Sequence, residues 1–251
     1  MAQSSTPTLP RVIVDPRYCV PDPVYLAMVR DNINFKYGNY DIRDVNGNML
    51  FQVKKPGFGY FSGRKMFLLD GSGSPVLTMK EKTMTMHGRW KVYRGGSTEE
   101  CDLLYSVKSS TMQVLLTTEL KVFLGHNHEE QICDFIVRLM KDERSCAVYA
   151  GESDDDDNMI TYVDHVFVNC RTINFTIATF IKPKLIAQEN TPIGVLGWLV
   201  TKSNGMKHKK RSSGLDNFLV TVNPNVDYAF IASLVVLFDV FNRMDPPTLM
   251  S

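Results

Sequence analysis

The sequence predicts a mainly β fold: an antiparallel barrel or sandwich with one buried helix near the C-terminus. Three observations predict it. Glycine-bearing turns at Gly47, Gly71, Gly95 and Gly125 recur 24, 24 and 30 residues apart, each between short alternating apolar segments. After the last strand-like segment comes a nearly unbroken apolar stretch, Val226 to Phe241, interrupted by Asp227, Ser233 and Asp239. The composition is that of a globular chain: 251 residues, 44% hydrophobic, 22% charged, net charge +1. That balance excludes a chain-wide basic field for nucleic acid and an acidic solvating chain.

The elements follow in order. Met1 to Pro10 is rich in Ser, Thr and Pro and lacks the apolar core of a secretory signal, so residues 1–11 are expected to be disordered. Position 2 is Ala, which excludes myristoylation. Tyr40–Val45 turns at Asn46-Gly47 into Met49–Val53, because both turn residues tolerate positive φ. Phe67-Leu68-Leu69 turns at Asp70–Pro75 into Val76–Met79. Trp90–Tyr93 turns at Gly95-Gly96 and returns as Leu103–Val107. Leu120–Leu124 turns at Gly125-His126-Asn127 and returns as Ile132–Val137. Leu219–Val222 reads as the last strand, broken by Asn223-Pro224-Asn225.

Asp227 then caps a helix that is apolar on every face, and Pro246-Pro247 prevents its extension. Such a helix must be surrounded by lipid or by protein. Eleven residues separate Asp227 from Asp239, about 17 Å of helix against a bilayer core of roughly 30 Å. A protein shell is therefore expected, a barrel closed around Tyr228, Phe230, Ile231, Leu234, Val235 and Phe238.

Catalytic and metal motifs are weak. Five cysteines at irregular spacings form no CxxC pair, which suits reduced thiols in the cytosol. His126-Asn127-His128 with Glu129 and Glu130 lacks a visible third ligand and reads as a polar turn. Asp154–Asp157 lacks the glycine and distal glutamate of a calcium loop. Gly71-Ser72-Gly73 precedes Pro75 and a strand, not the helix of a phosphate loop. No GxSxG occurs. Thus no catalytic residue, no metal and no cofactor is expected.

The surface signal is basic. Strand alternation puts Arg89 and Lys91 on one face and Trp90 and Val92 on the other. Arg94 follows, Lys54-Lys55 and Arg64-Lys65 flank one turn, and Lys207, His208, Lys209, Lys210 and Arg211 form a run before the last strand.

Taken together and in order, these segments resemble the plant LURP-one-related family, of the tubby C-terminal-like fold. The carrying stretches are Val12–Cys19, Asp44–Asn48, Leu68–Gly73, Met86–Trp90, Tyr93–Thr98, Val122–Asn127, Tyr149–Ser153, Asp216–Phe218 and Tyr228–Val236. The resemblance implies a tubby-like antiparallel barrel of about twelve strands threaded by a buried C-terminal helix. It implies no enzymatic activity and a connection with defence against pathogens. Related tubby-type domains bind phosphoinositide headgroups, but no ligand residue of that pocket has a matching motif here.

The likeness covers roughly residues 12–154 and 206–242; residues 12–154 and 206–243 are expected to form one barrel domain, with 244–251 a disordered tail. Residues 155–205 stand outside it and read as an atypical insertion or a gene-model artefact such as translated intron. The same junction reads as having lost a barrel strand, which would leave an unpaired edge. The expected role is binding of anionic, phosphoinositide-like phospholipid headgroups by Arg89, Lys91, Arg94, Lys207, Lys209, Lys210 and Arg211. The expected location is the cytoplasm, peripheral at the plasma membrane, with no transmembrane segment and no nucleic acid partner. The alternative is a soluble protein-interaction scaffold without a lipid role.

Overall fold

The structure, a computed structural model, describes residues 11–31, 39–56, 64–82, 88–109, 119–139, 145–153, 156–168 and 215–242. The strands are β1 (Val24–Asp31), β2 (Asn39–Arg43), β3 (Met49–Lys54), β4 (Lys65–Asp70), β5 (Pro75–Lys82) and β6 (Arg89–Arg94). They continue as β7 (Leu103–Ser109), β8 (Glu119–Leu124), β9 (Phe135–Leu139), β10 (Ser145–Ala150), β11 (Met159–Val168) and β12 (Leu215–Val222). One helix follows, α1 (Tyr228–Asn242). Each strand pairs antiparallel with its neighbours in sequence, and β12 pairs back onto β1, so the sheet closes into a barrel. Closure removes the edges that an open sheet would expose.

β11 corrects the expectation of a lost strand. It lies inside the segment read as an insertion, yet pairs with β10 through Ser145↔Asp164 and Cys146↔Val163, and with β12 through Thr161↔Val222 and Val163↔Val220. Ile160 and Val163 join the core. The alternation was short and followed directly on an acidic run, which hid a strand that only its two partners make evident. The remaining residues of the segment, 169–205, lie outside the described residues, as do 1–10 and 243–251. Arg11, placed with the disordered N-terminus, instead forms a parallel bridge with Val226, its N–H donating to the Asn225 carbonyl at 2.8 Å.

Aspartates organise two of the anticipated turns. Asp44 Oδ1 accepts from the N–H groups of Asn46 and Asn48, both at 2.8 Å, and Gly47 takes φ +83°. Asp70 Oδ1 accepts from those of Ser72 and Ser74, both at 2.9 Å, and Gly73 takes φ +85°. Gly125 is needed for a different reason: a Cβ there would stand 2.3 Å from the Leu103 carbonyl oxygen.

The barrel is filled, not hollow. Phe51, Trp90, Tyr105 and Phe230 are fully buried, and Ile231, Leu234, Val235 and Phe238 of α1 lie within the core. Tyr228, at the first turn, is half-buried and packs edge-on against Tyr18 at 5.3 Å between ring centroids. The Phe230 ring meets Tyr105 at 5.1 Å and Phe135 at 5.0 Å. Among the described residues no helix is long and apolar enough to cross a membrane.

The three polar interruptions of the Val226–Phe241 stretch each find a partner. Asp227 caps the helix: its Oδ1 accepts from the Ala229 and Phe230 N–H groups, both at 3.1 Å. Its Oδ2 accepts from the N–H groups of Ile13 (3.2 Å), Val14 (2.7 Å) and Asp15 (3.2 Å), strapping the N-terminal segment across the barrel end. Ser233 shares a 2.6 Å hydrogen bond with the Tyr105 hydroxyl. Asp239 accepts from the Tyr40 hydroxyl at 2.5 Å and faces Arg30 at 3.9 Å, all three buried. An all-apolar helix could rotate or slide at little cost, whereas these contacts at three depths specify one position.

Candidate functional site

β6 sets the site. Trp90 and Val92 point inward and are fully buried, which leaves Arg89 and Lys91 on the outer wall, as the alternation predicts. The barrel register then decides what stands beside them. Lys82 on β5 lies directly opposite Arg89, Arg89 opposite Lys108 on β7, and Lys108 opposite Lys121 on β8. A second row runs parallel: Lys65 on β4 opposite Lys80, and Lys80 opposite Lys91. Directly opposed residues of antiparallel strands share a face with Cβ atoms about 5 Å apart, and like charges there are destabilising. Two rows of opposed cations therefore cost the fold stability.

Carboxylates and rings offset part of that cost. Glu130, in the β8–β9 connection, takes both Arg89 and Lys108, with Arg89 on Oε1 and Lys108 on Oε2. The Ser106 hydroxyl donates to the same Oε1 at 3.2 Å and accepts from Arg89 Nη2 at 3.1 Å. Lys91 Nζ meets Glu100 at 2.5 Å, and Lys121 Nζ lies 3.7 Å from Glu152. Lys108 also stands over the Phe123 ring at 4.9 Å, and Lys65 over Phe67 at 4.7 Å. Burial works to raise the pKa of Glu130, but Lys108 and Arg89 outweigh it and hold the carboxyl below the usual range.

Arg94 has a different place. It ends β6, and its Nη1 donates to the Val14 carbonyl at 2.5 Å, bracing the N-terminal segment that Asp227 also holds. Lys207, Lys209, Lys210 and Arg211 lie outside the described residues. Lys55 and Arg64 sit near one barrel mouth. The Lys55 pKa is lowered by burial and by the neighbouring Arg30 and Arg64 charges, and Arg64 pairs with Glu81 at 2.8 Å.

The sequence reading noted Lys65 but missed Lys80, Lys82, Lys108 and Lys121. A signal was present, since each is a lysine at an outward strand position, but only the register aligns them. The His126–Glu130 run serves its turn: Asn127 Nδ2 donates to Asp134 Oδ2 at 2.8 Å and to the Ile132 carbonyl at 2.9 Å. Among the described residues no three His, Cys, Asp or Glu side chains converge as a metal set. Cys19, Cys101 and Cys133 are free thiols, and burial pushes Cys133 up to about 11.

The family model for LURP-one-related proteins matches residues 25–188, running past Asp154 and across β11. The chain belongs to the LURP-one-related family. It is 46% identical over 242 residues to the Arabidopsis thaliana Protein LURP-one-related 15, covering 96% of this chain and 90% of that protein. It is 43% identical over 240 residues to the Arabidopsis thaliana Protein LURP-one-related 1, covering 93% and 85%. A crystal structure of an Arabidopsis thaliana protein superposes with a TM-score of 0.57 at 42% identity, covering 92% of this chain and 98% of that one. None of these names denotes an enzyme. In this LURP-one-related barrel the lumen is occupied by α1, so among the described residues the accessible chemistry lies on the outer wall and at the barrel ends.

Proposed function

We propose that this LURP-one-related barrel is a non-enzymatic module that binds anionic, phosphoinositide-like membrane lipid. In this reading it acts at the cytoplasmic periphery of the plasma membrane in a plant-defence setting. The observation that carries the reading is the row Lys82–Arg89–Lys108–Lys121, directly opposed across four strands. A sheet that holds like charges side by side gains from an external polyanion, at about 1 kcal/mol per Lys or Arg near an anionic surface. Lys91 and Lys80 extend the same wall. The Lys91 ion pair with Glu100 is partly exposed and weak, so lipid phosphates can compete for the same ammonium group. Arg94 would contribute at the barrel end, and Lys207, Lys209, Lys210 and Arg211 as a basic run in the sequence before β12.

Flotation of the full chain with phosphatidylcholine vesicles, with and without phosphoinositide, tests the proposal. Recovery should require phosphoinositide, fall as salt shortens the screening length below about 8 Å, and drop in Lys80→Glu and Lys121→Glu. Equal recovery on both vesicles refutes lipid selectivity. A protein partner retained at salt that abolishes flotation would favour the scaffold role instead.

A further inference from the structure

Glu130 is an odd residue to find against the basic row. It comes from the β8–β9 connection, on the strands' flank, and places one carboxylate between two strands. Its backbone takes φ +50°, the left-handed region that a non-glycine residue adopts at a cost. The turn supports that conformation, the Glu130 N–H donating to Asn127 Oδ1 at 3.1 Å. The carboxylate then satisfies a guanidinium, a hydroxyl and an ammonium at once: Arg89, Ser106 and Lys108.

That donor set is suited to an oxyanion with more than one charged oxygen. A guanidinium offers a planar fork, an ammonium a point charge and a serine hydroxyl a neutral donor, the combination that tetrahedral phosphates attract. Arg89 and Lys108 are opposed in register, and Ser106 lies two residues along the same face, so all three donors stand on rigid strand backbone. The site opens to water: the side chains of Arg89, Lys108 and Glu130 are 20%, 36% and 18% exposed. The anion now filling it is carried by a turn rather than by a strand of the wall.

We infer that Arg89, Ser106 and Lys108 form a phosphate-binding site that Glu130 occupies in the free protein as a built-in competitor. A phosphate group entering the site displaces the carboxylate, and Glu130 swings outward with its turn. This deepens the lipid-binding reading and rests on it where the phosphate belongs to a headgroup; a free inositol phosphate presents the same chemistry.

The test compares the full chain with Glu130→Gln, Lys108→Gln and the double variant. One arm uses phosphatidylcholine vesicles containing phosphatidylinositol 4,5-bisphosphate, the other inositol 1,4,5-trisphosphate followed by calorimetry. Glu130→Gln should bind about 3- to 10-fold tighter, Lys108→Gln more weakly than the unaltered chain, and the double variant should lose the gain. A gain in both arms assigns the site to headgroup and free phosphate alike; a gain in the soluble arm alone assigns it to free phosphate. If the unaltered chain floats with the vesicles and Glu130→Gln binds no tighter, the built-in competitor is overturned while lipid binding stands. If neither protein binds either probe, both readings fail together. A measurement on the unaltered chain guards against a misfolded variant: saturating inositol trisphosphate should shift the amide resonance of Glu130, and binding without that shift overturns the inference.

Discussion

Asp227 offers the most direct test of how the chain closes its barrel. One carboxylate accepts five backbone N–H groups, two from the first turn of α1 and three from Ile13 to Asp15. Asp227→Ala removes a helix cap, about 1–2 kcal/mol, and unpairs donors in a buried place, at about 1–3 kcal/mol each if they stay buried. The N-terminal three can escape to water by peeling away. The expected loss is therefore about 3–5 kcal/mol rather than the full sum. Asp227→Asn separates the two roles. Its single acceptor oxygen can serve the helix, for which asparagine is a good cap, while its NH2 would then face three donors. Burial pushes the Asp227 carboxyl above the usual range, so the neutral amide also sheds part of a desolvation cost. The loss for Asp227→Asn is set at about 1–3 kcal/mol. Chemical denaturation gives the stability and hydrogen exchange gives the location. The Val14 amide should lose protection in Asp227→Asn while Phe230 keeps it. Unchanged stability with unchanged Val14 protection would refute the strap.

Four further outcomes are expected. Gly125→Ala should destabilise by about 1–3 kcal/mol, because the added methyl meets the Leu103 carbonyl at 2.3 Å and backbone must move; a midpoint unchanged in urea would contradict this. Phe230→Ala should cost about 3–5 kcal/mol through the void left between Tyr105 and Phe135, read by thermal unfolding. Tyr40→Phe removes a donor from the buried Asp239 and should cost about 1.5–3 kcal/mol; a loss below 0.5 kcal/mol, roughly the scatter of a surface substitution, would show that the bond is not needed. The depressed pKa of Glu130 means that its stabilising contribution is present above its ordinary value of 4.5 and is lost as pH falls through the folded value. The stability difference between the unaltered chain and Glu130→Gln should therefore shrink from pH 6 to pH 3, and a constant difference would argue against the ion cluster.

Much of the architecture was legible before any coordinates. Asn46-Gly47 and Asp70–Pro75 announce their hairpins because positive φ and aspartate-capped turns are local chemistry, needing no distant partner. The Tyr228–Phe241 stretch declares a surrounded helix because no face of it can meet water, and its length excludes a bilayer. Arg89 and Lys91 opposite Trp90 and Val92 show which way β6 faces, since strand side chains alternate. β11 was not legible, because a strand between an acidic run and a long apolar segment is defined by the partners that pair with it, β10 and β12.

Local pattern thus determined the glycine-turn hairpins, the surrounded helix, the inward and outward faces of β6 and the capping role of Asp227, all of which depend on neighbours a few residues away. Only the tertiary structure decided that Lys82, Arg89, Lys108 and Lys121 stand side by side, that Glu130 reaches in among them, and that Asp239 meets Tyr40 across the lumen. Those are long-range pairings, set by register and barrel closure, and a one-residue slip in any strand would turn each of its side chains to the opposite face.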